Sequence, residues 1–253
     1  MKSEQGPFRE ENEDSMGALE APEAKSGIAA VCVVADGLGG HAHGEVASNL
    51  AVSLFLNAYR ASDLVEPNLT PSLIKASIKI TLHEINNKIN GLGNTGEALH
   101  QNPFRAGMGT TLTAVIVVGD SVYFGHIGDS RGYLLQNGEL AQITEDHSLV
   151  GEQLRNGLIT VEEMHSHPMR NILTQALGLG QALTPFISAQ TINADDCIIL
   201  CSDGIHNFLS DKSIKELVLH SLEDEVTNAL VEAALASGSD DNLTVLLMKF
   251  IQD

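Results

Sequence analysis

The chain has 253 residues with 43% hydrophobic content, enough for a full core and too apolar for a disordered acidic polymer. Lys and Arg number 14 against 33 Asp and Glu, a formal net charge of −19. That balance excludes binding to a nucleic-acid backbone or an anionic membrane, both of which need clustered cations, and it suits a protein that gathers cations.

The N-terminal stretch MKSEQGPFREENEDS has no apolar run, so no signal peptide is expected, and Arg9 stands close to the carboxylates Glu13 and Asp14. No run approaches the ~18 apolar residues of a membrane span, so a cytoplasmic protein is expected. Ile28–Ala35 is an aliphatic strand followed by Asp36-Gly37. A loop at Gly37–Gly44 leads into a helix marked by Val46, Leu50, Leu54 and Ala58. Ile74, Ile78, Leu82, Ile85 and Ile89 recur at helical spacing, with Thr70-Pro71 as start and Asn90-Gly91 as stop. Gly91–Met108 has little periodicity and is expected as a loop.

A block of strands follows: Thr111–Val118, Val122–Ile127, Gly132–Gln136 and Leu140–Ile143. Gly119-Asp120 and Asn137-Gly138 fall between them as hairpin turns, which predicts antiparallel sheets. Thr160 with Glu163 forms a capping box in the helical excursion that follows. Ile187–Ile192, Cys197–Ser202 and Leu243–Phe250 are further strands, and Val226, Leu230, Ala233 and Ala234 mark a helix ending at Gly238. This order is not the strict alternation of a doubly wound sheet. It predicts an α+β fold of packed antiparallel sheets with helices outside.

Of the three cysteines, Cys197 and Cys201 share a strand and at ~3.3 Å per residue lie roughly 13 Å apart, too far to share a metal. With Cys32 they are expected as buried thiols in a reducing compartment. The carboxylates are more telling. Asp36, Asp129 and Asp203 end aliphatic strands, and Asp241 precedes one. In antiparallel sheets strand starts and ends share a rim, so the four can converge. Their mutual repulsion then calls for a hard divalent cation, Mg²⁺ or Mn²⁺ rather than zinc. The alternative is that each Asp is a turn former.

R-x-x-N-E-D at Arg9–Asp14, ADGLGGH at Ala35–His41, GTT at Gly109–Thr111 and GDSR at Gly128–Arg131 occur in that order. DHS at Asp146–Ser148, HPMRNILTQALG at His167–Gly178, SDGI at Ser202–Ile205 and DDNLT at Asp240–Thr244 follow. Together these resemble the type 2C protein phosphatases, the metal-dependent PPM family in its compact bacterial form. The resemblance spans about Gly6 to Phe250 as one domain over 1–253, with a flap at about 145–172 beside the active site. It implies a four-layer α-β-β-α sandwich. It implies hydrolysis of phosphoserine and phosphothreonine in proteins by a hydroxide bridging two tightly bound Mn²⁺ or Mg²⁺ ions.

By position, Asp36 resembles the bridging carboxylate, and the Gly37 carbonyl would bind the second metal. Asp203 and Asp241 would complete the first metal's ligands. Glu13 would reach the second, with Asp14 in support. Asp129 resembles the ligand of a weaker third ion shared with Asp203. Arg9 resembles the phosphate-binding arginine. Leu38 stands where eukaryotic members carry a general-acid His, so His41 is the expected proton donor, with His43 or a metal-bound water as competitors. Phosphoprotein substrates, a cognate bacterial-type Ser/Thr kinase and a monomeric state are expected; no nucleic acid or membrane is. A catalytically weak binding module of the same fold and a metal phosphodiesterase are the competing readings. The complete acidic set disfavours the first, and the lack of a basic groove disfavours a polymer substrate.

Overall fold

A computed structural model describes residues 1–38, 43–61, 69–93, 108–180, 182–222 and 224–251. The strands are β1 (Lys2–Glu4), β2 (Asp14–Glu20), β3 (Ala30–Leu38), β4 (Gly109–Thr110), β5 (Leu112–Val118), β6 (Ser121–Ile127), β7 (Arg131–Gln136), β8 (Glu139–Gln142), β9 (Phe186–Thr191), β10 (Cys197–Cys201) and β11 (Leu243–Lys249). The helices are α1 (His43–Tyr59), α2 (Pro71–Gly93), α3 (Leu149–Arg155), α4 (Val161–Ser166), α5 (Asp203–His206), α6 (Asp211–His220) and α7 (Val226–Ala236). One sheet runs β2-β3-β5-β6-β9, with β4 paired to the far end of β3, and the other runs β1-β11-β10-β7-β8. Every strand pair is antiparallel.

The layering follows from the period-2 alternation of each strand. Cys32 and Val34 of β3, Val115 and Val117 of β5, and Val122 and Phe124 of β6 pack against Leu134, Ile198, Leu200 and Leu246 of the opposite sheet. The alternate residues Val31, Val33 and Ala35 face the other way, onto Ala47, Ala51 and Phe55 of α1 and Ile78, Leu82 and Ile85 of α2. On the second sheet, Tyr133, Ile199, Cys201 and Val245 pack against Ile205, Ile214, Leu230 and Ala234 of α5, α6 and α7. Three apolar layers between four structural layers make the expected α-β-β-α sandwich. Its central strands are apolar on both faces, which is why they read as continuous aliphatic runs.

Both hairpin turns form. Asn137 and Gly138 take φ of 53° and 75°, the two positive angles a two-residue type I′ turn requires. The capping box at α4 is complete: Thr160 Oγ1 accepts from the Glu163 amide, and the Glu163 carboxylate accepts from the Thr160 amide. Helix α2 overruns its expected stop at Asn90-Gly91 by one short turn, because a terminal glycine in a helix costs only about 1 kcal/mol. The rest of the expected Gly91–Met108 loop, residues 94–107, lies outside the described residues. Cys197 and Cys201 close the two ends of β10, and all three thiols are buried and unlinked. Among the described residues no helix is long and apolar enough to cross a membrane.

Candidate active site

One end of the sandwich gathers carboxylates from both sheets. Asp14 opens β2 and lies directly across from Asp36 of β3 in the strand register. Asp129 sits in the turn between β6 and β7, Asp203 opens α5 straight after β10, and Asp241 precedes β11. With Arg9, Glu13, Gly37, Leu38, Asn171, Leu173 and Asn242, the last four of these Asp residues line a cleft of about 220 Å³. The expected convergence of Asp36, Asp129, Asp203 and Asp241 is present. Two details differ. Asp36 is not a strand end, because β3 continues through Gly37 and Leu38 to pair with Thr110 and Gly109 of β4. Asp203 does not end a strand either: β10 stops at Cys201, and Asp203 starts a one-turn helix.

The glycine after Asp36 serves close packing. A Cβ on Gly37 would run into the Gly44 backbone and come within 2.7 Å of the Glu13 carbonyl oxygen. Gly37 N donates to that same oxygen at 3.1 Å, which locks the N-terminal segment beside β3. Thr111 fixes Asp36 from the other side. Its Oγ1 accepts from the Asp36 amide at 2.9 Å, and its own amide donates to the Asp36 carbonyl at 2.8 Å. Both bonds are made to the Asp36 backbone, so they hold the strand and leave the Asp36 carboxylate to the cleft.

The electrostatics are costly. Asp14 is buried, while Asp36, Asp129 and Asp203 keep only part of their surface at the cleft mouth. Burial pushes Asp36 well above the usual carboxylate range, and Asp14, Asp203, Asp129 and Asp241 add repulsion. Burial also pushes Asp129 well up, with Asp203 and Asp146 adding to it. Asp203 rises to about 6, from burial first and repulsion by Asp241 second, although a hydrogen bond with Asp36 works against the rise. Asp14 rises to about 7, driven by burial and opposed by the Ser202 hydroxyl. Ser202 Oγ donates to Asp14 Oδ2 at 2.7 Å, and Asp14 Oδ1 is buried without a hydrogen-bond partner.

Among the described residues no three acidic, His or Cys side chains already form a closed metal cage. The donor set nevertheless fits a hard divalent ion. It is oxygen-only, it contains an orphaned buried carboxylate oxygen, and its repulsion is relieved only by protons or a cation. Carboxyls with raised folded pKa stabilise the fold when protonated. Their contribution is full below about 3.9 and is lost as pH rises through the folded value. For Asp203 and Asp14 that loss runs through about 6 and about 7. The buried His126 and His147, both held low chiefly by burial, oppose the trend below about 6.5, but they are two groups against four. Chelator-treated protein is therefore expected to melt lower at pH 8 than at pH 6, and the rise in melting temperature on adding Mn²⁺ should be larger at pH 8. Scanning calorimetry at the two pH values, with and without Mn²⁺, checks this.

Arg9 is fixed rather than frayed: its Nη2 donates to Asp241 Oδ2 at 2.6 Å. Glu13 lines the cleft beside it, its carboxyl raised by burial and lowered by Arg9. His41 lies outside the described residues. Sequence reasoning left Ser202 and Asn242 without roles, yet Ser202 holds Asp14 and the Asn242 side chain accepts from the Glu13 amide at 2.9 Å. It also passed over the buried pair of Arg131 and Asp146, where Nη2 meets Oδ2 at 2.7 Å. The signal was present, since both residues belong to quoted motifs, GDSR and DHS.

An antiparallel sandwich that pools oxygen donors at one rim, with an arginine facing them, has the build of a divalent-metal phosphoester hydrolase. A family model described as protein phosphatase 2C matches residues 10–246. The serine/threonine phosphatase stp of Listeria monocytogenes is 36% identical over 249 residues, 98% of this chain and 94% of the relative. The crystal structure of the Mycobacterium tuberculosis serine/threonine phosphatase PstP/Ppp superposes with a TM-score of 0.82 at 36% identity, covering 99% of this chain and 97% of that one. The PstP catalytic domain in complex with two manganese ions superposes with a TM-score of 0.80 at 33% identity, covering 99% and 96%. The chain belongs to the protein phosphatase 2C family.

Proposed function

We propose that this protein hydrolyses phosphoserine and phosphothreonine in proteins, using Mn²⁺ or Mg²⁺ held between the ends of its two sheets. The observation that carries the proposal is the pooled carboxylate set of Asp36, Asp129, Asp203 and Asp241 around one small cleft. The relation to a phosphatase solved with two manganese ions supports it. Asp36 would be shared by the two ions, Asp203 and Asp241 would complete the ligands of the first, and the Gly37 carbonyl and Glu13 would serve the second. Asp14 would support these ligands from the neighbouring strand, and Asp129 with Asp203 would hold a weaker third ion.

When bound, the ions make a nucleophile of water at neutral pH and neutralise phosphoryl oxygens. The chain does the rest. Arg9 grips phosphate oxygens with its planar fork. His41 delivers the proton that the leaving alkoxide needs. Cys32 and Cys201 take no part, since burial pushes both thiols up to about 12 and keeps them protonated. The flap at about 145–172 reaches the cleft through Asn171, and it selects the phosphoprotein. The whole 1–253 acts as one catalytic domain and a monomer in the cytoplasm, opposing a Ser/Thr kinase.

The test is an Mn²⁺ assay on a phosphothreonine peptide beside a cyclic dinucleotide. Release of phosphate from the peptide alone is expected; cleavage of the dinucleotide alone would overturn the proposal in favour of a phosphodiesterase.

Arg9→Ala should chiefly raise KM, because phosphate is gripped in the ground state as well as the transition state. A lost charged hydrogen bond costs about 1.5–3 kcal/mol, roughly ten- to hundredfold in kcat/KM. Inhibition by inorganic phosphate should weaken by a similar factor. Steady-state kinetics checks both; wild-type values would leave Arg9 as a structural partner of Asp241 only.

A further inference from the structure

The segment from Gln5 to Glu13 carries both Arg9 and Glu13, yet it has no regular secondary structure between β1 and β2. A free loop of this length would spread the Arg9 guanidinium over many positions. One side chain closes it. The buried Asn242 donates through Nδ2 to the Gln5 carbonyl at 2.7 Å and the Glu11 carbonyl at 3.0 Å, and its Oδ1 accepts from the Glu13 amide at 2.9 Å. Both ends of the loop are therefore tied to one residue, which itself neighbours Asp241. Two further contacts shape the loop between those ends. Gln5 Nε2 donates to the Arg9 carbonyl at 2.7 Å, and Gly6, at φ +77°, lies so close to the Asp241 carbonyl that a Cβ would collide with it. The Asn242 side-chain amide makes all three of these bonds to the backbone of the loop.

We propose that Asn242 is a positioning residue for phosphate recognition: it clamps the 5–13 loop so that Arg9 faces the carboxylate cleft. The three bonds need one acceptor and two donors on a single planar group, which only an Asn or Gln side chain supplies, and Gln is a methylene too long for this buried place. The proposal rests on the phosphatase reading for its kinetic consequence, but not for the clamp itself.

The test pairs two variants with two readouts. Asn242→Ala removes all three bonds. Asn242→Asp keeps the volume and the acceptor for Glu13 while turning both donor contacts into repulsion, so it breaks the clamp without opening a cavity. Each is assayed at saturating Mn²⁺ on a small aryl phosphate, alone and combined with Arg9→Ala. Losing the clamp should raise KM about fivefold, the scale of one neutral hydrogen bond, and weaken inhibition by inorganic phosphate equally, with kcat changed less than KM. In the Arg9→Ala background the same substitutions should add less than about twofold, because their effect passes through Arg9.

Amide hydrogen exchange is the second readout: in either variant the amides of residues 5–13 should exchange faster, while those of β3 and β5 stay protected. It reads the clamp whether or not the chain hydrolyses phosphoesters, so a failed clamp and a failed functional reading are told apart. Unchanged exchange in 5–13 overturns the proposal. So does a full KM effect that persists without Arg9, which would mean that Asn242 acts on the site by another route.

Discussion

Asp36→Asn should lose about a thousandfold in kcat and at the same time raise the melting temperature of the chelated protein. The two effects have one cause. Asp36 lies across the register from Asp14, feels Asp203, Asp129 and Asp241 as well, and pays the burial cost of a charge. An amide of the same shape carries no charge, so without metal it removes repulsion from the fold. With metal it removes an anionic oxygen that would hold the ions. The transition-state stabilisation supplied by bound metal is several kcal/mol, and each ~1.4 kcal/mol is tenfold, which sets the scale of the loss. Thr111 holds the backbone of residue 36, not its carboxylate, so the substitution leaves the strand pairing intact. Single-turnover kinetics and calorimetry check the two halves. A variant that is inactive but also less stable without metal would mean that the Asp36 carboxylate is structural.

Asp146→Ala should be the most destabilising single substitution outside the apolar core. Arg131 Nε donates to both Asp146 oxygens at 3.1 Å, and Nη2 donates to Oδ2 at 2.7 Å. Both side chains are almost fully enclosed, at 8% and 9% exposure. Removing one partner of a buried pair strands the other charge and costs about 3–5 kcal/mol. For a chain of this length each kcal/mol is worth about 2–4 °C, so the melting temperature should fall by roughly 6–20 °C. The pair joins the start of β7, two residues after Asp129, to the root of the flap, so local opening there should reach the Asp129 turn. Although burial raises the Asp146 carboxyl, Arg131 outweighs it and holds the carboxyl below its ordinary value. Its stabilising contribution is thus present at neutral pH and is lost only as pH falls through that lowered value. Replacing both partners with apolar residues, as in Arg131→Met with Asp146→Leu, should recover much of the loss. Failure of that double variant to recover would mean that the Tyr133 and Gln142 contacts to the pair are essential as well.

The strands with two buried faces were the most legible parts of the fold, while the edge strands β8 and β9 were legible only through the Asn137-Gly138 turn and the run Ile187–Ile192. β3, β5, β6, β7, β10 and β11, which carry the three apolar layers, read as aliphatic runs because alternate residues meet apolar layers on both sides. Three strands were not legible. β2 (DSMGALE) is an edge strand with mostly half-buried positions, so its hydrophobic signal is weak. β1 is three residues of polar sequence made a strand only by pairing with β11, and β4 is two residues long. The acidic cluster was legible because antiparallel topology sends strand starts and ends to one rim. Its support was not, because Thr111, Ser202 and Asn242 act through hydrogen bonds to residues 75, 188 and 237 positions away. No periodicity encodes such pairings; only the quoted motifs placed those residues nearby.

The most direct test of the central claim, that the pooled carboxylates form a divalent-metal centre, is calorimetric titration of Mn²⁺ into the chelator-treated protein near pH 6 in two buffers of different ionisation heat. With Asp14 near 7, Asp203 near 6, and Asp36 and Asp129 pushed by burial well above the usual carboxylate range, these carboxyls hold protons that a cation must displace. Mn²⁺ should bind with net proton release, and Asp36→Asn should weaken that binding and reduce the release. Absence of Mn²⁺ binding, or binding that releases no protons and is unchanged in Asp36→Asn, would contradict the account.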